Sequence, residues 1–479
     1  MPATLAAASR SLLFSSLLSL ASCSLIPAYQ RPPLPIPANQ GELQRPLLPP
    51  ATASDLSADE RQVLAAVSDE ALLPEVVSQA LAGNRDYRII QLRVEQARAQ
   101  LAGRQAERWP TLGLGVQRPR QRFADPALDE RYQQDLATAT LGVDAFELDF
   151  FGRQASLGEE ARHQLLASRY GQQAARGALL AEVARLFLLA READAQVGSA
   201  QAMETLSEQL VQRTRARIAA GDLPAAALEA LNQTALDARQ LTRQRLSQRA
   251  DAYQALAWVT GYRLTPTPAA VRALASTPPA PPGELADLPS TRLLERLDVR
   301  AAEERLQAAN ASIGAARAAF FPSIRLSTAV GLASPQLQDL LSAGHGLRLL
   351  TPSLSLPLLD GGRNRANLDA ATSARDLALA TYERTLQDAF RQLADGLEER
   401  RLLLGQRQTL DDQIQLNRQR EQRLARQWEA GAGDPTARLQ AGLEALRASD
   451  ALRQTDQALR FNRLRLYRAL HGLDNPSAT

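Results

Sequence analysis

The residue types that usually perform catalysis or bind metals are few and scattered in this chain. The three histidines, His163, His345 and His471, lie far apart in sequence, and Cys23 is the single cysteine. Their spacing does not match a zinc site, and no glycine-rich phosphate loop follows a predicted strand. The sequence "DGGR" at 360–363 combines a flexible backbone with a residue able to cap a helix, which favours a turn into a helix over a phosphate site. We therefore expect no enzyme activity, no cofactor and no metal site.

Cys23 does indicate a covalent modification. The apolar run at 12–21 follows Arg10 and precedes small residues, and it is about half the length needed to span a bilayer, which is the layout of an export signal. The stretch Leu20 to Cys23 resembles a bacterial lipobox, which implies cleavage before Cys23 and addition of diacylglycerol and N-acyl lipid to it. Ser24 resembles the outer-membrane sorting pattern. The alternative is a plain secreted protein whose signal contains a coincidental cysteine.

Charged residues are balanced and interleaved along the chain. The 479 residues include 55 basic side chains, all of them Arg, and 52 acidic ones, with a formal net charge of +3. Nucleic-acid binding requires cations clustered against a phosphate backbone, whereas here Arg alternates with Glu and Asp. The pattern predicts solvated helix faces and no nucleic-acid partner. The length also predicts several domains or an elongated shape.

The chain contains an internal duplication. Proline-rich segments at 27–50 and 265–291 precede two halves that share four pairs of landmarks at an offset of about 211 positions. A repeat of this length is a duplicated domain rather than a solenoid array. The paired landmarks are Trp109-Pro110 with Phe321-Pro322, Gly152-Arg153 with Gly362-Arg363, Gly221 with Gly431, and Gly261 with Gly472.

Each half predicts the order helix, β-hairpin, long helix, turn, helix. Apolar residues with a period of two predict strands at about 111–122 and 136–148 in the first half, and at about 323–333 and 347–358 in the second. The stretches that follow each hairpin lack proline for about 39 residues and could extend for roughly 60 Å as helices. A helix of that length requires other helices alongside it.

The strands suggest how the chain meets a membrane. No run of about 18 apolar residues is present, so a crossing would require a closed barrel of strands. Four strands cannot close a barrel, since the smallest natural ones have about eight. The pattern thus predicts that several chains each contribute two hairpins.

Together these motifs resemble one known family. The lipobox, the "WPTL" and "FPSI" helix-to-strand joints, the "FFGR" and "DGGR" strand-to-helix joints and "ADGLEERR" are similar to outer-membrane efflux proteins of the TolC family, in its OprM-like and NodT-like lipoprotein branch. The resemblance implies a mainly α fold with a membrane β-barrel portion: a homotrimer with a 12-stranded barrel in outer-membrane lipid and a periplasmic tunnel of 12 helices. It also implies a periplasmic adaptor protein and an inner-membrane efflux pump, of the RND type, as partners.

The resemblance also implies a gate at the periplasmic end of the tunnel. The repeat alignment predicts that the helix hairpins turn near 190–194 and 399–405, which would place Leu402, Leu403 and Leu404 at an adaptor-contact tip or between neighbouring helices. Counting back from Gly431, Asp412 occupies the position that resembles a constricting aspartate. The remaining candidates for the closed gate are Asp411, Arg407, Arg418 and Arg215.

These observations define an organisation and a function. We expect a passive, trimeric exit duct of a tripartite efflux system; the alternative is a lipid-anchored periplasmic scaffold or adaptor without a pore. The sequence leaves the transported substrates open. The expected segments are a signal peptide at 1–22, a lipidated tether at 23–56, a first repeat at 57–264, a proline-rich connection at 265–291, a second repeat at 292–473 and a tail at 474–479.

Overall fold

The computed structural model describes residues 26–32, 56–68, 70–132, 134–261, 290–335, 346–430, 433 and 435–471. Two units can be separated, Met1–Leu47 and Leu48–Thr479. In the first, residues 26–32 lie in an exposed segment without regular secondary structure. The second contains all the helices and strands that follow. Cys23, the predicted signal peptide, most of the proline-rich connection and the predicted tail lie outside the described residues.

Helices make up most of the second unit. The first repeat contains α1 to α6 and the second contains α7 to α9, which a short 3₁₀ helix at Ser290–Glu295 precedes. No helix of the described residues combines the length and apolar content needed to cross a bilayer. The helices are α1 (Ala58–Val67), α2 (Leu72–Gly83), α3 (Arg85–Ala106), α4 (Pro126–Tyr132), α5 (Arg153–Ala219), α6 (Ala227–Thr260), α7 (Leu297–Ala318), α8 (Arg363–Glu429) and α9 (Pro435–His471).

The two longest helices begin in the same way. Gly152 and Gly362 precede α5 and α8 with φ of 72° and 86°, a left-handed conformation that glycine adopts without a steric penalty. An aspartate then accepts hydrogen bonds from the first turn: Asp149 from the Ala155 N–H at 2.7 Å, and Asp360 from the Asn364 N–H at 2.8 Å. The predicted turn into a helix at "DGGR" is confirmed, and it has a counterpart in the first repeat.

α5 and α8 are much longer than the sequence pattern indicates. Each has 67 residues and extends for roughly 100 Å at 1.5 Å per residue. The prediction that the hairpins turn near 190–194 and 399–405 is therefore wrong, because both segments lie within continuous helix. Neither segment contains proline or a left-handed glycine, so nothing in them ends the helix.

The true turn of the first helix hairpin follows α5. Gly221 adopts φ of 83°, and the Asp222 N–H donates to the Arg217 carbonyl at 2.9 Å, which closes the helix with a left-handed cap. In the second repeat α8 ends at Glu429 and α9 begins at Pro435. We call residues 220–226, which connect α5 to α6, the tip turn.

Four strands form one antiparallel sheet in the order β1–β4–β5–β6, so that each predicted hairpin is present and the two hairpins lie side by side. β1 ends five residues earlier than expected, since Pro119 lacks an N–H to donate. β6 ends at Ser355, shortly before Pro357, which also lacks an N–H. Pro352 lies within β6, in register with Leu326. A separate pair, β2 and β3, flanks α4. The strands are β1 (Leu112–Gln117), β2 (Arg120–Gln121), β3 (Gln134–Asp135), β4 (Ala137–Leu148), β5 (Ser323–Ser334) and β6 (Gly346–Ser355).

The main hydrophobic core lies where α1, α2, α5, α6 and α9 meet. Phe187 and Leu180 of α5 are buried there against Leu73 and Val77 of α2. Apolar residues recur at intervals of three and four around 179–190, and this face of α5 packs in the core. α1 is held against this core by Glu60, a fully buried carboxylate that accepts hydrogen bonds from Arg176 of α5 at 2.6 and 2.9 Å.

Candidate functional site

The sheet presents one apolar face. Leu112, Leu114 and Val116 of β1 have 66%, 78% and 67% of their surface exposed, although they are apolar. The register continues this face across the sheet, because Leu114 is paired with Leu141, and Leu141 with Val330. An exposed apolar face on successive strands is what a lipid environment selects.

The other face of the sheet carries small and polar residues. Gly115, Thr140 and Gly331 lie side by side in register on β1, β4 and β5. A Cβ atom at Gly331 would overlap the carbonyl oxygen of Ala139, and one at Gly142 would overlap that of Thr328. The glycines therefore allow the strands to bend sharply, as closure of a barrel requires.

The two edge strands lack partners within the chain. β1 pairs only with β4, and β6 pairs only with β5, among the described residues. Each edge therefore exposes unpaired backbone N–H and C=O groups along six and ten residues respectively. This sheet is an open fragment that requires further strands on both sides.

The joints between sheet and helices are rigid. Phe151, just before α5, and Phe321, just before β5, stack with ring centroids 4.9 Å apart. Arg153, at the start of α5, donates to both carboxylate oxygens of Glu147 at 2.8 and 2.6 Å. These contacts fix the direction in which the long helices leave the sheet.

The candidate gate residues divide into two groups. Arg407 donates to Asp411 at 2.9 Å within α8 and to Asp456 of α9 at 2.8 Å, which connects the two helices of the second hairpin. Burial raises the pKa of the Asp456 carboxyl, although Arg407 acts in the opposite direction. Asp456 has no local sequence signal, because it lies 49 residues from Arg407 on another helix.

The other gate candidates are exposed. Asp412 accepts a hydrogen bond from Gln408 at 3.2 Å and lies 17 residues, or roughly 26 Å, before the end of α8. Arg418 of α8 and Arg215 of α5 form no ion pair within the part of the chain that the structure describes. The structure thus brings Arg407 and Asp411 together and leaves the other three apart.

The predicted tip residues do not lie at a tip. Leu402 and Leu404, with 58% and 43% of their surface exposed, and Leu403, which is half-buried, lie on α8 roughly 40 Å before its end. The prediction that they form an adaptor-contact tip is wrong, because they lie within a continuous helix. Packing between neighbouring helices stays a prediction.

Metal-binding chemistry has no support in the described residues, among which no group of three or more His, Cys, Asp or Glu side chains converges. His163 contacts Glu304 at 2.6 Å, an interaction that joins α5 to α7. His345 lies outside the described residues.

Comparison with known proteins identifies the architecture. The family model described as "Outer membrane efflux protein" matches residues 76–262 and 288–472, one match to each repeat. The chain belongs to the outer membrane efflux protein family. It is an outer-membrane channel component of a tripartite efflux system, and its predicted TolC-like fold is confirmed.

Two relatives illustrate the extent of the similarity. The chain is 35% identical over 414 residues to the solvent efflux pump outer membrane protein SrpC of Pseudomonas putida, covering 82% of this chain and 83% of that protein. It is 32% identical over 475 residues to the cation efflux system protein CusC of Escherichia coli O6:H1, covering 96% and 97%.

Solved structures show the same fold. A crystal structure of CusC superimposes with a TM-score of 0.73 at 30% identity, over 94% of this chain and all of that one. The open state of the MtrE outer membrane channel of Neisseria gonorrhoeae gives 0.70 at 26% identity, over 95% of this chain and all of that one. Four strands and two very long helix hairpins are therefore the ordinary contribution of one efflux-channel subunit.

Proposed function

We propose that three copies of this chain close one β-barrel and one helical tunnel, forming a passive exit duct that performs no reaction and needs no cofactor. The observation that carries the proposal is the open four-stranded sheet with an exposed apolar face. Three such sheets supply 12 strands, enough for a barrel.

The energetics favour closure over an isolated sheet. In lipid each unsatisfied backbone group costs several kcal/mol, so the free edges of β1 and β6 could not remain unpaired. Pairing β6 of one copy with β1 of the next satisfies both edges at once and leaves none free. The exposed leucines of β1 then face hydrocarbon.

Cysteine cross-linking tests this arrangement. In a background with Cys23→Ser, the pair Leu114→Cys and Leu350→Cys places thiols on the two edge strands, and a flexible bifunctional reagent should produce covalent trimers. The matched control pair, Leu141→Cys and Val330→Cys, is in register within one chain and should give cross-linked monomers only.

The same cross-linking experiment can contradict the trimeric barrel. If the edge pair yields only cross-linked monomers or no product, while the control pair reacts, the edges do not meet between copies. The lipid-anchored scaffold without a pore would then be the better description.

We further propose that Cys23 carries diacylglycerol and an N-acyl chain, which anchors the mature chain to the outer membrane. The support is the lipobox at 20–23 and the family's location. Intact mass of the purified protein should show cleavage before Cys23 and three acyl chains, whereas Cys23→Ser should abolish the lipid mass. An unmodified or unprocessed Cys23 would contradict the proposal.

The partners that we propose are a periplasmic adaptor and an inner-membrane pump of the RND type. The exposed tip turn at 220–226 is the natural contact for an adaptor, because it follows the end of α5 that is far from the sheet. A photoreactive residue at Asp222 should cross-link to the adaptor, and one at Leu402 should not. The reverse pattern would contradict this contact.

The relatives export solvents and cations according to their names, and we propose that the pump selects the substrate.

Asp412 is our proposed gate residue. It is exposed on α8 in the single chain, and three copies around a threefold axis would form an acidic constriction that attracts cations. Asp411 and Arg407 act differently in this proposal, since Arg407 pairs with Asp411 within α8 and with Asp456 of α9, which holds the two helices of the hairpin together.

A further inference from the structure

Two arginines face a small cavity that α1 covers. The cavity has a volume of about 260 Å³ and lies between α1, α8 and α9. Arg400 of α8 and Arg463 of α9 both line it and are half-buried. Its other walls are mainly apolar, as at Val63, Val67 and Leu466, and they also include the polar residues Asp59 and Gln62.

The packing of α8 against α9 forces the two cations together. Gly396 lies so close to α9 that an added Cβ would stand 2.8 Å from Leu466 Cδ2. Arg400 follows Gly396 by one helical turn and Arg463 precedes Leu466 by one, so both guanidinium groups enter the cavity at the same level. Burial lowers the pKa of Arg463, and the charge of Arg400 lowers it further.

No carboxylate of the described residues pairs with either arginine. Arg400 and Arg463 form no ion pair within the described ranges, and Arg463 Nη1 is buried without a hydrogen-bond acceptor. Glu399, which precedes Arg400 on α8, is engaged by Asn462 at 2.8 Å and by Arg465 at 2.9 Å. Asp59 at the rim is exposed and pairs with neither arginine.

A cation that is half-buried against apolar side chains without a partner is unfavourable, so two such cations at one cavity favour an external anion. Guanidinium groups bind carboxylate and phosphate oxygens through paired hydrogen bonds. We propose that this cavity is a binding site for a small amphiphilic anion, whose carboxylate or phosphate lies between Arg400 and Arg463 and whose apolar part lies against α1.

The probe for this site is octanoate, titrated calorimetrically into the full chain in maltoside micelles. Octyltrimethylammonium, with the same alkyl length and the opposite charge, is the matched control ligand, and empty micelles give the blank. Octanoate should bind saturably and raise the thermal unfolding midpoint, because a ligand that binds the folded state stabilises it. The cation should do neither.

Variants distinguish this site from general partition into the micelle. Arg463→Gln and Arg400→Gln should each weaken octanoate binding at least about tenfold, the effect expected when a charge-assisted hydrogen bond is lost. Arg468→Gln removes an exposed charge five residues further along α9. It is the matched control and should leave the affinity unchanged. Arg463→Glu should abolish binding yet raise the unfolding midpoint, since it replaces repulsion by attraction.

Three outcomes would overturn the proposal. The first is the absence of saturable octanoate binding to the wild type. The second is binding that all three glutamine variants weaken equally. The third is that octanoate fails to bind while Arg463→Gln separates the trimer, which would assign the cavity to an acidic side chain of a second copy.

Discussion

Replacing Arg407 by alanine should loosen the second helix hairpin far more than removing an ordinary surface arginine. The guanidinium is 26% exposed and pairs with Asp411, 31% exposed, and with Asp456, 14% exposed. Its loss removes the ion-pair partner of two carboxylates at the junction of α8 and α9, and one of them is largely buried.

The magnitude follows from the burial of each partner. A hydrogen bond to a charged group contributes about 1.5–3 kcal/mol when the remaining partner is buried, and the bond to Asp456 belongs to this class. The intrahelical bond to Asp411 adds at most about 0.5 kcal/mol. The matched control is Arg401→Ala, whose pair with Glu398 is 70% and 57% exposed and is therefore strongly screened by solvent.

Hydrogen exchange measured by mass spectrometry reports this local opening. Amides of α9 around Asp456 should exchange roughly 10- to 150-fold faster in Arg407→Ala, from the conversion of about 1.4 kcal/mol per tenfold. In Arg401→Ala they should change by about twofold or less. Equal acceleration in both variants would refute the assignment of Arg407 as the connection between the helices.

The same prediction has a pH dependence. Burial already raises the pKa of Asp456, and without Arg407 it should rise further. A folded state with a raised carboxyl pKa binds more protons than the unfolded one, so its stability increases as pH falls through that pKa. After correction for intrinsic exchange, the loss of local stability caused by Arg407→Ala should become smaller as pH falls. A loss that does not change with pH would contradict the role of Asp456.

Three further predictions follow from the sheet, the core and the gate. Gly331→Ala should prevent trimer formation in detergent, seen by size-exclusion chromatography with light scattering, whereas Gly113→Ala, with open space around it, should assemble normally. Burial opposes ionisation of Glu60, but its partner Arg176 and its hydrogen bonds to Ser57 lower its pKa below the ordinary value. The stability that Glu60 contributes should therefore be present above the ordinary pKa and be lost as pH falls below it. Glu60→Gln should remove this acid transition from thermal unfolding curves. Asp412→Asn should reduce cation preference in reversal-potential measurements, and an unchanged preference would exclude an acidic constriction at this position.

Sequence periodicity predicted the sheet well but the helix lengths poorly. Alternation at 112–116 and at 324–328 locates strands because a barrel strand has one apolar face, and proline marks where each hairpin begins. The length of α5 and α8 could not be read in the same way. Most of α8 is exposed in the single chain, so it carries no sustained apolar stripe that would mark its course or its end.

The functional residues were less predictable for a related reason. The distance from Gly431 indicates Asp412 and its neighbour Asp411 as candidate gate residues. Nothing in the sequence indicates that Arg407 meets Asp456. The cavity at Arg400 and Arg463 was also invisible, since Arg is the only basic residue type in the chain and appears on every exposed helix face. Tertiary contacts between helices, rather than local motifs, distinguish these arginines from the rest.

Single-channel recording in planar bilayers tests the central claim most directly. The purified, acylated protein, shown to be trimeric by light scattering, should insert and produce discrete conductance steps, because its three sheets together close a water-filled barrel. If homogeneous, folded protein produced no steps in lipid, or if monomers conducted as well as trimers, the closure of one barrel by three copies would be contradicted.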